Sequence, residues 1–253
     1  MPSTDKPLLG VPVLRDTEPI ERLFRGLGER VRWLIIDNSE GGIEWQSHDS
    51  LAPNYLPESA WLVQPYNNLG CAGAWNSIIR QAPTEPYWLI ANADAEVGPK
   101  HLEYIVSEMS KGGPRWVGVH GDWRLMGLTA EWVETVGWFD ERFHPIYLED
   151  TDMEYRGTLA GAEWYNDHHT GQSEHQGGAS WKGTDLERQN TRTYRSNANE
   201  YQRKWGGGWR GGEVFTTPFD SGQADLCGPP LSRLRGNAWE LARDNGQGTA
   251  ERG

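Results

Sequence analysis

The chain has 253 residues, which is enough for one large α/β domain or two small ones with a proper core. Its formal net charge of −12 disfavours a partner with a phosphate backbone, so nucleic-acid binding is excluded from the expected functions. Two cysteines without a pairing motif, and no apolar run approaching the ~18 residues of a membrane span, predict a soluble cytoplasmic protein without an integral membrane segment.

The first half of the chain alternates between strand-like and helix-like segments. Helical spacing of apolar residues occurs at 20–27, 75–79 and 102–109. Continuous apolar runs, typical of strands buried on both faces, occur at 8–14, 31–36, 61–64, 87–92 and 115–120. This alternation predicts an α/β fold with a mainly parallel sheet and helices on both of its faces.

The second half follows no such alternation. Thr129 is a good N-cap for a helix that runs to about Val136, and residues 187–205 are polar but compatible with a helix. From about residue 220 onward glycine, proline and charged residues dominate, which predicts a largely irregular tail over 220–253.

Polar side chains follow two of the predicted strands. Asp37 comes directly after the second strand, and Asn92, Asp94 and Glu96 follow the fourth. Because the carboxyl ends of parallel strands share one edge of a sheet, where open α/β sheets bind ligands, these groups are expected to lie together. Their oxygens suit a hard divalent cation. A solvated acidic turn before a helix is the alternative interpretation of residues 92–96.

A third acidic cluster is Glu149, Asp150 and Asp152. Carboxylates this close raise one another's pKa unless a cation or a hydrogen-bond donor neutralises them. The alternative is a solvated helix N-terminus, where the helix dipole favours acidic residues. His175 stands before a Gly-Gly turn and could ligate a metal ion or cap a loop.

Five motifs occur in an order typical of one enzyme family: IIDNS (35–39), NNLGCAGAWN (67–76), NADAEV (92–97), GWFDERFHPIYLEDTDMEYR (137–156) and HQGGAS (175–180). Together they resemble the inverting family 2 glycosyltransferases of GT-A fold, especially the rhamnosyl- and galactofuranosyl-transferase-like branch. The resemblance implies a Rossmann-like GT-A domain over 1–219, followed by the irregular tail. Within this domain, residues 8–120 would form the nucleotide-sugar-binding half and residues 121–219 the acceptor-side half.

The resemblance also implies a donor site and a metal site. A nucleotide-sugar donor would be bound by residues from the first four strand ends: Val11, Pro12, Asp37, Asn68, Gly70 and Asn92. Mn²⁺ or Mg²⁺ would be held by Asp94, Glu96 and His175. Asn92 stands where the family's metal motif has its first aspartate, so Asp94 would carry most of the metal binding.

On the acceptor side, the resemblance implies that Asp150 is the general base that deprotonates the attacking hydroxyl. Glu149 and Asp152 would orient the acceptor, or position Asp150 through Arg156. Trp123 follows the fifth strand, where its indole ring could stack on an acceptor sugar. The acceptor could be a glycan, a lipid-linked sugar or a protein side chain.

Two other functions share parts of this pattern. A sugar nucleotidyltransferase would carry a glycine-rich, basic phosphate loop near the first strand, whereas residues 8–19 hold one glycine and one arginine. A catalytically inactive sugar- or nucleotide-binding module on the same fold is kept open by Asn92. The YQRKWGG segment (201–207) resembles the ending of some members from actinobacteria and their phages, which suggests a bacterial or phage-encoded protein.

Overall fold

A computed structural model of the chain describes residues 6–15, 17–47, 54–119, 123–167 and 185–235. Its strands are β1 (Leu8–Val13), β2 (Arg32–Asp37), β3 (Trp61–Val63), β4 (Tyr87–Ala91), β5 (Arg115–Val119), β6 (Leu125–Thr129) and β7 (Glu163–Asp167). Its helices are α1 (Glu18–Leu27), α2 (Gly70–Gln81), α3 (Pro99–Met109), α4 (Ala130–Val136), α5 (Glu149–Leu159) and α6 (Asp185–Trp205).

The strands form one sheet in the order β3-β2-β1-β4-β6-β5-β7. All neighbours are parallel except β6, which runs antiparallel to both β4 and β5. The predicted mainly parallel sheet of Rossmann-like, GT-A type is therefore confirmed. The sequence did not indicate β6, and this strand separates β4 from β5, which the simple alternation would have placed side by side.

Two apolar layers cover the faces of this sheet. One layer includes Ile20 and Phe24 of α1 together with residues of α3, and the other includes Ile78 of α2 together with residues of α4. Gly10 of β1 lets α2 lie close to the sheet, because a Cβ at this position would lie 2.5 Å from Ile78 Cδ1. The close contact fixes where the N-terminus of α2 meets the strand ends.

Helices α5 and α6 are joined by a buried charge cluster. Lys204 Nζ of α6 donates to Asp152 Oδ1 of α5 over 2.5 Å and to Asp140 Oδ2 over 2.8 Å. Arg156 Nε donates to the other oxygen of Asp152 over 2.8 Å. Asp152 and Lys204 have no exposed surface. Charged contacts therefore position α5, whose buried face includes Glu149, Asp152 and Arg156 and has no continuous apolar stripe.

The C-terminal segment packs on the domain as far as it is described. The Trp138 backbone N–H donates to Leu226 O over 2.8 Å, and its Nε1 donates to Pro229 O over 2.7 Å. Leu231 is completely buried in the layer beside α2 and α4. The segment has little regular structure, yet Leu231 belongs to the core and Cys227 packs against it, whereas residues 236–253 lie outside the described part.

Candidate functional site

Three loops meet at the carboxyl edge of the parallel strands. Asn38, directly after β2, accepts from the Leu69 N–H over 2.7 Å and donates to Gly70 O over 3.3 Å. The Cys71 N–H of α2 donates to Pro145 O over 2.7 Å, and Pro145 lies shortly before α5. Direct hydrogen bonds therefore connect the predicted nucleotide-sugar-binding half to the predicted acceptor-side half.

Asn68 and Gly70 shape the turn into α2. Asn68 Oδ1 accepts from the Gly70 N–H over 2.8 Å. Gly70 has φ +70°, and a Cβ there would lie 2.7 Å from Pro145 O, so both conformation and space require glycine. Because the N–H groups of residues 69–71 all bind protein acceptors, this helix start has few donors left for a phosphate group.

Asp37 is completely buried and organises the segment after β2. Its Oδ1 accepts from the Ser39 N–H, and its Oδ2 accepts from the Ile43 N–H, Trp45 Nε1 and Gln64 Nε2. Burial opposes ionisation, but these hydrogen bonds outweigh it and lower the pKa of the carboxyl group. Gln64 is exposed, so its amide is the donor that a ligand could displace most readily.

The predicted donor contact of Val11 could not involve its side chain. Val11 has no exposed surface and packs in the apolar layer with α1 and α3. Because strand side chains alternate between faces, the half-buried Pro12 points to the opposite side of the sheet. Pro12 is therefore the β1 residue that remains a candidate for donor contact.

Asn92, Asp94 and Glu96 form a turn at the end of β4. The Asn92 N–H donates to Arg124 O over 2.8 Å, and its carbonyl accepts from the Ala95 N–H over 3.0 Å. Asp94 is half-buried in this turn, whereas Glu96 is exposed. The turn thus holds Asp94 at the same sheet edge as Asp37.

The donor set at this edge fits one kind of metal site. Among the described residues, no group of three or more His, Cys, Asp or Glu side chains could hold an ion. Mg²⁺ and Mn²⁺, however, bind through one or two carboxylates together with substrate phosphates and water. Asp94 fits such a site, and Glu96 is a second carboxylate nearby in the turn. His175 lies outside the described residues.

The start of α5 is preceded by two residues in left-handed conformation, Tyr147 (φ 82°) and Leu148 (φ 72°). Such conformations are unfavourable for residues with large side chains and need support from neighbours. Asn197 of α6 supplies it, because its Nδ2 donates to Ile146 O over 2.9 Å and to Tyr147 O over 3.0 Å. Helix α6 therefore fixes the position of the first residues of α5.

Those first residues are the acids Glu149 and Asp150. Glu149 is 3% exposed and its Oε2 has no hydrogen-bond partner. Burial, followed by the charge of Asp150, raises its pKa well above the usual value despite a bond with Cys71. Burial also raises the pKa of Asp150, against hydrogen bonds from Thr151 to its Oδ1. Of the two acids, Asp150 is the one better placed to ionise.

Trp123 lies on the same side of α5 as Asp150. Its Nε1 donates to Glu154 Oε1 over 2.8 Å, and Glu154 is one helical turn after Asp150. The ring also packs against Trp75 and Trp116, with centroid distances of 6.1 and 4.2 Å. The structure thus brings Trp123 near the predicted base, and its contact with an acceptor stays a prediction.

Asp152 does not fit the predicted contact with an acceptor. It is fully buried, and Trp205 Nε1 donates to its Oδ1 over 2.8 Å in addition to the bonds from Lys204 and Arg156. Arg156 donates to Asp152 and to two backbone carbonyls, so it does not position Asp150 directly. This carboxylate is a structural anchor for α5.

Arg210 and Cys71 are among the residues at the site that were not predicted. Burial raises the pKa of both Asp150 and Glu154, and the charge of Arg210, in the loop after α6, offsets part of each rise. Burial, then the charges of Glu149 and Asp150, raise the pKa of the Cys71 thiol. The sequence carried no signal for Arg210, because its place depends on how the glycine-rich loop at 206–212 folds back.

Comparison with solved structures gives distant likenesses. S. aureus TarS (residues 1–349) is 11% identical with a TM-score of 0.46, and the match covers 65% of this chain and 58% of that one. Glucosyl-3-phosphoglycerate synthase from Mycobacterium tuberculosis, in complex with UDP, is 14% identical with a TM-score of 0.44, covering 68% and 72% of the two chains. A putative nucleotide-diphospho-sugar transferase from Desulfovibrio desulfuricans G20 is 10% identical with a TM-score of 0.42, covering 75% and 96%.

The TarS match thus spans less than two thirds of that solved chain. No curated protein sequence matches this one. Within the described residues, no helix combines the length and the apolar character needed to cross a membrane.

The sequence match to a protein family is more decisive. The family model described as glycosyl transferase family 2 matches residues 13–161, which is more than half of the 253 residues. This stretch contains the β2 end, the turn into α2, the β4 turn and the start of α5, so it includes most of the candidate site. The family resemblance is confirmed: the chain belongs to glycosyl transferase family 2.

Proposed function

We propose that the protein transfers a sugar from a nucleotide-sugar donor to an acceptor hydroxyl by a single displacement that inverts the anomeric configuration. The observation that carries this proposal is the placement of Asp150. It is the more readily ionised of two neighbouring acids in the first turn of α5, and the segment before this helix is hydrogen-bonded to the predicted donor turn of a family 2 glycosyl transferase.

Asp150 is the general base in this proposal. A sugar hydroxyl is a poor nucleophile at neutral pH, and a carboxylate that takes its proton contributes about 10²–10⁴ in rate. The bonds from Thr151 both go to Oδ1, so we assign Oδ2 to the acceptor hydroxyl. Burial raises the pKa of Asp150 and makes it a stronger base than an exposed aspartate.

Glu149 has a different role in the same step. Its buried, unpartnered Oε2 and raised pKa favour a protonated carboxyl group that can donate a hydrogen bond. A protonated neighbour adds no negative charge next to Asp150. We therefore propose that Glu149 orients a substrate hydroxyl while Asp150 removes the proton.

The donor is proposed to lie across the edge formed by β1, β2 and the turn into α2. Pro12 and the Asp37–Gln64 pair would border the nucleotide, and the Asn68–Gly70 turn would face the sugar diphosphate. Gln64 is exposed and bonded to Asp37, so a nucleobase can exchange with its amide. Asn92 would add an amide oxygen at the end of β4.

A divalent cation is proposed as cofactor. The leaving diphosphate needs positive charge, and in this acidic chain the first N–H groups of α2 already bind protein acceptors. Mn²⁺ or Mg²⁺ bound by Asp94, with Glu96 nearby, would supply that charge and stabilise the leaving nucleotide. Asn92 supplies no charge there, so Asp94 is the main ligand.

A thermal-shift screen with UDP-, GDP- and dTDP-sugars, each with and without Mn²⁺, tests the proposal. We expect one nucleotide class to raise the melting temperature, with a larger rise when Mn²⁺ is present, and the same donor to be turned over in a hydrolysis or transfer assay. Stabilisation without any turnover would favour an inactive binding module. Release of diphosphate from a sugar phosphate and a nucleoside triphosphate would favour a nucleotidyltransferase.

A further inference from the structure

Three half-exposed aromatic rings form a continuous arc at the surface, made of Tyr147, Tyr194 and Trp209. The ring centroids of Tyr147 and Tyr194 lie 5.7 Å apart, and those of Tyr194 and Trp209 lie 5.8 Å apart. Both pairs are edge-to-face, which leaves ring surface uncovered. Tyr194 is 39% exposed and Trp209 is 37% exposed. We call these three residues the aromatic arc.

The aromatic arc borders the start of α5 at both of its ends. Tyr147 lies two residues before Glu149 and three before Asp150, in the segment that leads directly into α5. Trp209 is followed by Arg210, whose guanidinium group acts on Asp150. A molecule lying along the arc therefore has one part beside the proposed base.

Neighbouring polar groups hold the arc in place. Glu213 accepts from the Tyr201 hydroxyl over 2.6 Å and from the backbone N–H groups of Arg210 and Gly211 over 2.9 and 2.8 Å. These bonds fix the loop that carries Trp209. The bond from Asn197 to Tyr147 O fixes the other end. The arc is thus a prepared surface, which limits the entropy lost when a ligand binds.

We propose that the aromatic arc binds the saccharide chain of a glycan acceptor, beyond the sugar residue whose hydroxyl is attacked. This inference rests on the proposed transfer reaction and names its acceptor class. A sugar ring has an apolar C–H face and a polar rim of hydroxyls, which matches half-exposed rings beside hydrogen-bonding groups. Three rings in a row offer contacts to more than one sugar residue.

The same features disfavour other acceptors. A hydrocarbon chain needs a contiguous, uncharged apolar patch, whereas the exposed, charged Arg210 directly follows Trp209 in the chain. The chain's net charge of −12 disfavours a polyanionic partner. A neutral glycan needs no contiguous apolar patch and carries no negative charge, so neither feature disfavours it.

The test compares matched variants on an array of defined glycans and in a transfer assay. Trp209→Ala and Tyr194→Ala remove rings of the arc, whereas Trp209→Phe and Tyr194→Phe keep an aromatic ring at each position. Trp61→Ala is the control, because Trp61 is 46% exposed but lies on β3, the outermost strand of the sheet. Melting temperatures of all variants, with and without donor nucleotide, show that each is folded and binds donor.

We expect the parent protein to bind a neutral glycan on the array. Each alanine variant should raise the acceptor KM about tenfold, the loss expected for one ring contact, with donor KM and kcat within about twofold. The phenylalanine variants and Trp61→Ala should behave as the parent.

Binding to no glycan on the array, or an acceptor KM that the alanine variants leave unchanged, would overturn the aromatic-arc proposal. Glycan binding that depends on Trp209 in a protein that transfers no sugar would support the arc and contradict the proposed reaction.

Discussion

Lys204 and Asp152 form a completely buried ion pair, with 2.5 Å between Nζ and Oδ1, although they are 52 residues apart in the chain. The pair joins α6 to α5, the helix whose first turn contains the proposed base. Both charged groups are shielded from water, so the electrostatic energy of each depends on the other and on Asp140 and Arg156. The position of Asp150 thus depends on a helix that carries none of the catalytic residues.

We expect Lys204→Met to lower the free energy of unfolding by about 3–5 kcal/mol, since it leaves Asp140 and Asp152 buried with less compensation. Arg203→Met is the matched control, because the Arg203 side chain is 70% exposed and its loss should change stability by less than about 0.5 kcal/mol. Urea denaturation followed by circular dichroism measures both. Equal stability of the two variants would show that the buried pair contributes little.

Asp150→Asn should lower kcat by about 10²–10⁴ while donor binding stays near that of the parent. Removing a half-buried carboxyl group whose pKa is raised also removes a penalty that the folded state carries above that pKa. The variant should therefore melt no lower than the parent at pH 7. Steady-state kinetics and a nucleotide thermal shift measure these quantities, and parent-like turnover would exclude Asp150 as the base.

The pH dependence of kcat/KM should show an acid limb governed by Asp150. A general base acts in its ionised form, and burial raises its pKa above the ordinary value of 3.8. Activity is therefore lost as pH falls through the raised pKa, so the midpoint should lie above 3.8. The Arg210→Gln variant should shift this midpoint further upward, because Arg210 lowers the pKa of Asp150. A midpoint that Arg210→Gln leaves in place would contradict this assignment.

Chelation by EDTA should abolish transfer, and added Mn²⁺ or Mg²⁺ should restore it. Asp94→Asn should raise the metal concentration needed for half-maximal activity at least about tenfold, because it removes the main proposed charge at the site. Glu96→Gln is the comparison in the same turn, where the exposed side chain should matter less. Full activity in chelator would exclude a metal role, and a larger effect of Glu96→Gln would reassign the main ligand.

Gly70→Ala should destabilise the turn into α2 by about 1–3 kcal/mol, because φ +70° is unfavourable for alanine and its Cβ would lie 2.7 Å from Pro145 O. Donor binding should weaken as the turn moves. Gly98→Ala is a suitable control, since Gly98 has a negative φ and no atom within 4 Å of the added Cβ. Thermal melting and donor titration distinguish the two, and equal effects would exclude the close contact with Pro145.

The elements that the sequence predicted are those built from apolar periodicity. Strand β4 is a continuous apolar run, and α1 presents Ile20, Leu23, Phe24 and Leu27 to the core as their spacing indicated. A helix beginning at Glu149 was only the alternative interpretation of the acidic cluster, because the buried residues of α5 include Glu149, Asp152 and Arg156 and no apolar stripe marks its inner face. Ion pairs that form only in the folded chain hold this face of the helix, so the apolar spacing that usually predicts a helix is missing.

The sequence located the segments that form the candidate site, but it did not indicate which partners each side chain contacts. Sequence motifs located the turn at Asn68–Gly70 and the acids at the start of α5, because these functions require particular residue types at fixed spacing. They could not show that Asp152 pairs with Lys204 whereas Asp150 is bonded by Thr151, since both acids belong to one motif. Partners more than fifty residues away decide which acid is buried in an ion pair.

The bonds from Trp138 to Leu226 and Pro229 have a practical consequence for recombinant forms of the protein. A boundary chosen at residue 219, the predicted end of the domain, would remove Leu231 and uncover the indole ring of Trp138 together with its apolar neighbours. Such a shortened form should self-associate in solution. Affinity tags and fusion partners are therefore better attached beyond residue 235 than at the apparent end of the domain.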